Sequence, residues 1–113
     1  MSTTPLTWTD FEKVEIRTGT IIAAESFPEA RKPAYKLTID FGDSGIRRTS
    51  AQLTRLYQPD ELIGKQVVAV LNFPPKQIAN FFSECLILGA VADDGTVTLL
   101  QTERPTKNGL RIA

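Results

Sequence analysis

A chain of 113 residues with 13 Lys and Arg against 13 Asp and Glu carries no net charge, and 42% of it is hydrophobic. That suffices for one domain whose core closes without a metal or a disulfide, and the even charge excludes a protein that coats nucleic acid through bulk positive charge, while leaving room for a local basic patch. The lack of histidine excludes Ser-His-Asp and Cys-His catalysis and His-containing zinc sites, and the single Cys85 excludes an internal disulfide.

No apolar run approaches the ~18 residues of a membrane span. The opening MSTTPLTWTD lacks the basic and apolar regions of a signal peptide. These features lead to the expectation of a cytoplasmic protein with no metal and no cofactor. Gly64-Lys65 is followed by Gln66 and is not a phosphate-binding loop.

Met1 to Thr7 is polar and is expected to be loose. Thr9, with Glu12 three residues on, has the pattern of a capping box for one helical turn. Trp8 and Phe11 are read as a plug for one end of the fold, or else as a subunit contact. Residues 1–9 form an extension on this reading, and 10–113 the domain.

Val14 to Ala24 alternates and reads as a strand, with Val14, Ile16, Thr20 and Ile22 on one face and Glu15, Arg17 and Gly19 on the other. Gly19 in its middle suggests a bulge or bend. A loop, SFPEARKP, carries Arg31 and Lys32. Ala34 to Phe41 is a second strand: Tyr35, Leu37, Ile39 and Phe41 face inward, and Lys36 faces outward. Gly42 to Gly45 is a turn, and Ile46 to Gln52 a third strand with Arg47 and Arg48 near its start, read as a second basic cluster beside that of Arg31, Lys32 and Lys36.

Pro59-Asp60-Glu61-Leu62-Ile63-Gly64 puts proline at a helix start, acids in its first turn and glycine at its stop. Gln66 to Leu71 is a fourth strand, almost continuously apolar. Pro74 and Pro75 then break the ladder, and an irregular segment presents Lys76, Gln77, Asn80, Phe81 and Phe82. Ser83-Glu84 leads into a fifth strand, Cys85 to Ala92, in which Cys85 reads as a small buried hydrophobe. Asp93-Asp94-Gly95 turns the chain into a sixth strand, Thr96 to Gln101. Five or six strands with a short helix between the third and fourth is the order of an all-β OB-fold barrel.

The run Asp10-Phe11-Glu12-Lys13-Val14-Glu15-Ile16-Arg17-Thr18-Gly19-Thr20-Ile21 resembles the opening signature of the stand-alone tRNA-binding domain family, whose relatives are appended to methionyl- and phenylalanyl-tRNA synthetases. Ser50-Ala51-Gln52-Leu53, Tyr57 to Val67, Asn72-Phe73-Pro74-Pro75-Lys76 and Ser83-Glu84 fit in order and spacing. The similarity runs from Asp10 to Ile112 and is strongest to the family's small secretion-related chaperones.

The resemblance implies a non-enzymatic homodimer that binds tRNA or another structured RNA. For the chaperone-type members it also implies binding of unfolded or pre-secretory polypeptides. Relatives carry basic residues where this chain has Gln77 and Phe82, and a small one where it has Asn80, which shifts the balance toward polypeptide.

The candidate binding set is Lys76, Asn80, Phe81, Phe82, Ser83, Ser50, Gln52, Lys36, Arg31 and Lys32. Lys76 would meet a phosphate or a chain carbonyl. Phe81 and Phe82, as strand neighbours, face opposite ways, with Phe81 expected inward and Phe82 outward as a stacking or anchoring surface. Ser50, Gln52, Asn80 and Ser83 are hydrogen-bonding groups that either converge on one barrel face or satisfy local backbone. Glu84 is read as a structural acceptor of backbone N–H groups.

Overall fold

The computed structural model describes residues 4–113. Of the loose stretch expected at Met1 to Thr7, residues 1–3 lie outside the described residues. The elements run α1 (Trp8–Glu12), β1 (Ile16–Ser26), β2 (Tyr35–Asp40), a 3-10 turn (Gly42–Ser44), β3 (Ile46–Ala51), α2 (Pro59–Leu62), β4 (Gln66–Val70), β5 (Lys76–Ile78), β6 (Phe81–Ser83), β7 (Leu86–Ile87), β8 (Gly89–Val91) and β9 (Val97–Leu99). Five strands form one antiparallel sheet in the order β3-β2-β1-β4-β7, and the pairs β5-β6 and β8-β9 form separate hairpins. The sheet curls until β7 approaches β3, giving a nearly closed barrel of the OB type.

The strongest alternation makes the most regular wall. Tyr35, Leu37 and Ile39 of β2 are buried while Lys36, Thr38 and Asp40 between them are only half-buried. With Phe41, Ile21, Leu53, Leu62, Val67, Ala69 and Leu71 the inward set forms the core. The short helix stands between β3 and β4, as expected, and buries Leu62 completely. It opens as the sequence suggested, with Pro59 in its first turn and the Gln58 N–H donating to Glu61 Oε1 at 2.6 Å.

β1 departs from the expected alternation. Ile21 is fully buried and Ile22 is 45% exposed, the reverse of the expected parity. The register explains it: Ile21 pairs with Ile39 and Ala23 with Thr38, so Ile22 is the extra residue of a bulge. Gly19 is not the bulge. A Cβ there would lie 2.6 Å from the Phe41 ring, so the glycine lets Phe41 reach the barrel axis.

Three other expectations change. The α1 cap is Thr7, whose Oγ1 accepts the Asp10 N–H at 3.1 Å, rather than Thr9. Trp8 is 85% exposed and plugs nothing among the described residues. The fifth strand is two pieces, because at Gly89 a Cβ would stand 2.6 Å from the Val97 side chain, and the chain leaves β4 there to pair with β9.

The C-terminal segment lies along the first half of β1. The Thr18 N–H donates to Leu110 O, the Gly109 N–H to Thr18 O and the Ile112 N–H to Ile16 O. Thr18 Oγ1 donates to Lys107 O, and Thr20 Oγ1 to Asn108 Oδ1. β2 pairs with β1 from Thr20 onward, so this strap takes the stretch of β1 that β2 leaves free.

Candidate functional site

The segment after Pro74-Pro75, expected to be irregular, is a hairpin. Lys76 pairs with Ser83, Gln77 with Phe82 and Ile78 with Phe81, and Ala79 turns the chain with φ of +54°. Residues directly opposite share a face, so Lys76, Ile78, Phe81 and Ser83 point one way, and Gln77 and Phe82 the other. Phe81 is buried against Phe27 with ring centroids 5.4 Å apart, and with Ala34 it forms a second small core outside the barrel. Phe82 is 56% exposed.

Lys36 and Arg48 flank this second core. Lys36 Nζ lies 4.9 Å from the Phe27 centroid and 5.6 Å from that of Phe81, and the Arg48 guanidinium lies 4.7 Å from the Phe81 centroid. Lys36, expected to be exposed, is therefore half-buried over aromatic faces. Arg47 is not part of a surface cluster with Arg48. It pairs with Ile39, on the inward parity, and its Nη1 donates to Leu71 O at 2.8 Å.

Glu84 fastens the hairpin to β3. Its N–H donates to Arg48 O at 2.8 Å, and its Oε1 accepts the Arg48 N–H at 2.9 Å. Thr49 Oγ1, one residue on, donates to Cys85 O at 2.7 Å and lies 2.7 Å from Ser83 Oγ. Beyond that point the two sides of the barrel part.

The opening is a groove of about 1160 Å³. One wall is the end of β3 with Ser50, Gln52 and Leu53, and the other is Cys85 to Gly89. Arg31 and Lys32 from the β1–β2 loop, and Lys76, Ile78 and Ser83 from the hairpin, complete it. Its cations are Arg31, Lys32 and Lys76, and no Asp or Glu lines it. Much of the rest is apolar, including Leu86 and Val91, which are 48% and 70% exposed.

Six of the ten candidate residues thus meet at one groove: Arg31, Lys32, Ser50, Gln52, Lys76 and Ser83. Asn80 sits in the hairpin turn and Phe82 on the hairpin's other face, and neither lines it. Lys36 and Phe81 belong to the adjoining aromatic cluster. The apolar wall from Leu86 to Val91 was missed, because an unbroken apolar run reads as a buried strand. Gly89 in its midst was the available signal.

Cys85 lies at the groove's inner edge, but burial pushes its thiol up to about 11, against weaker opposing effects of the Thr49 hydrogen bond and the Arg47 charge. A thiol so held stays protonated near neutrality and is a poor nucleophile. Among the described residues no three Cys, Asp or Glu side chains stand close enough to hold a metal ion, and no helix is long and apolar enough to cross a membrane.

Residues 16–111 match the family described as "Putative tRNA binding domain". The chain belongs to this family. Within the tRNA-binding domain family, it is 48% identical to the chaperone CsaA of Bacillus anthracis, with a TM-score of 0.93 over 97% of this chain and 100% of that one. It is 53% identical to the CsaA chaperone protein of Picrophilus torridus, with a TM-score of 0.89 over 96% of this chain and all of the other. It is also 34% identical over 101 residues to the methionine–tRNA ligase of Methanocaldococcus jannaschii, covering 89% of this chain but only 15% of the ligase. The domain is thus a CsaA-like member of the family, built on an OB barrel.

Proposed function

We propose that the chain is a non-enzymatic binding domain that holds tRNA or another structured RNA, with the cationic rim of the groove against the phosphate backbone. The observation that carries this reading is that Arg31, Lys32 and Lys76 surround one opening with no carboxylate among its lining. Lys36 and Arg48 add two cations over the neighbouring aromatic cluster, with Glu25 3.8 Å from the Arg48 guanidinium. The membership in a tRNA-binding family and the likeness to part of a methionine–tRNA ligase support it.

A few phosphate contacts place the affinity in the roughly micromolar range and make it fall steeply with salt. Lys76→Ala is expected to lower the slope of log affinity against log salt by about one. A titration series by fluorescence anisotropy with tRNA checks this, and an affinity indifferent to salt overturns the reading.

A second reading is that the same groove takes unfolded or pre-secretory polypeptide. It is favoured by the apolar stretch of the lining, Ile78, Leu86, Ile87 and Val91, which a phosphate backbone does not need. The named likeness to two CsaA chaperones supports it. We also propose that the chain forms a homodimer. Leu6, Trp8 and Leu110 are 72%, 85% and 42% exposed, more apolar area than the terminal segments need alone, and a second copy would cover it. A sedimentation profile showing only a 12.5 kDa species at micromolar concentration overturns the dimer.

A further inference from the structure

The groove has a main-chain edge as well as a lining. β2 and β3 are paired without a bulge from Tyr35↔Ala51 to Asp40↔Ile46. In such a ladder, pairs that exchange hydrogen bonds alternate with pairs that do not. Phe41 N–H donates to Gly45 O at the ladder's end, which places the bonded pairs at Ile39↔Arg47, Leu37↔Thr49 and Tyr35↔Ala51. Arg48 agrees, since its N–H and C=O turn away from β2 and are taken by Glu84. Ser50 is next in the alternation, so its N–H and C=O also turn away from β2 toward the groove, where the C=O has one long contact, 3.3 Å from Thr49 Oγ1.

The opposite wall repeats the pattern. The Leu88 N–H donates to Val68 O, so Leu86 is bonded to Val70, and Ile87 between them presents its N–H and C=O away from β4. Across the sheet order β3-β2-β1-β4-β7 each neighbour is antiparallel, so β3 and β7 run the same way. The barrel's two edge strands therefore face each other across a wedge, pinned at Arg48–Glu84 and Thr49–Cys85 and open from Ser50 outward.

We propose that this wedge captures an extended polypeptide by strand addition. The segment runs antiparallel to β3 and β7 and hydrogen-bonds to Ser50 on one side and Ile87 on the other. This rests on the polypeptide reading above and specifies how the groove does it. An open strand edge is a template for pairing, in which main-chain bonds supply affinity and alternate side chains supply preference. Here one alternate set meets Ile78 and Leu86, and is apolar. The rim cations Arg31, Lys32 and Lys76 favour neutral or acidic residues beside that set and disfavour basic ones. A strongly basic segment is excluded on charge, which separates this groove from a general apolar trap.

The test uses the full chain and a fluorescent peptide of alternating valine and threonine with an aspartate at each end. A second peptide has the same side chains but N-methyl groups at alternate residues, and a third has lysine in place of aspartate. The expected result is saturable binding of the first and at least about tenfold weaker binding of the second, as the loss of one or two hydrogen bonds implies. Weaker binding of the third, and slowed amide exchange at Ser50 and Ile87 when the first is bound, are expected too. Equal binding of the first two peptides overturns strand addition and leaves the polypeptide reading standing. Equal binding of the first and third overturns the charge preference. No binding of any peptide, with tRNA still bound and protecting the groove, overturns the polypeptide reading itself and assigns the groove to RNA.

Discussion

From β2 through β1 to β4 the barrel wall is joined by main-chain pairing. Between β3 and the segment leading into β7 it is joined by one main-chain bond, from Glu84 N–H to Arg48 O, with one carboxylate and one hydroxyl beside it. The first region is continuously paired apart from the bulge at Ile22, with Leu37, Ile39 and Val67 fully buried. The second leaves Leu86 48% exposed and Ser50 at an open edge. Both are built from apolar residues of similar kind. What differs is how far main-chain pairing runs: it spans the first region, and in the second it stops at one bond, which leaves the candidate groove open.

The contrast breaks most sharply in the regular wall. Leu37→Ala removes a fully buried side chain and is expected to lower stability by about 2–5 kcal/mol in urea unfolding, with tRNA affinity per folded molecule unchanged. A loss of affinity larger than the loss of folded protein would show that the wall and the groove are not separable.

Cys85 sits where the two regions meet, and its thiol tests how dry that junction is. Its value is raised from 9.0 to about 11 in the fold. The sign follows: the unfolded chain ionises first as pH rises, so the contribution is intact below pH 9 and is lost progressively as pH approaches about 11. Over that window the wild type should lose roughly 2–3 kcal/mol more than Cys85→Ala. Parallel curves for the two proteins would mean that water reaches the sulfur.

The smallest expected effect is on the fastening itself. Glu84→Gln keeps an acceptor for the Arg48 N–H but removes its charge, and about 1 kcal/mol of stability should go with it. Amide exchange at Arg48 should accelerate while exchange at Leu37 does not. Equal acceleration at both would mean that seam and wall open as one unit.

The regular wall was also the legible one. Tyr35, Leu37, Ile39 and Phe41 announce their strand by period two, and Pro59 to Gly64 announces its helix by proline, acids and glycine. The parity of β1 was not legible, because adjacent Ile21 and Ile22 suit either face and the bulge depends on how β2 docks. The hairpin after Pro74-Pro75 was hidden because strands of three residues are too short to show a period. At the site, residue types were visible and their company was not. Arg31, Ser50 and Lys76 come from three separate elements, and only the closing barrel brings them to one opening. Arg47 looked like a partner of Arg48 because neighbours in sequence look like neighbours in space. On a strand they are the residues that part.

The strap along β1 bears on how the chain is made. Bonds such as that from Leu110 N–H to Thr18 Oγ1 join positions 92 residues apart, and they finish the side of the strand that is synthesised first. At common ribosomal speeds of about 5–20 residues per second, Thr18 waits roughly 5–20 s for its partner. Throughout that interval the nascent chain carries a bare strand edge of its own.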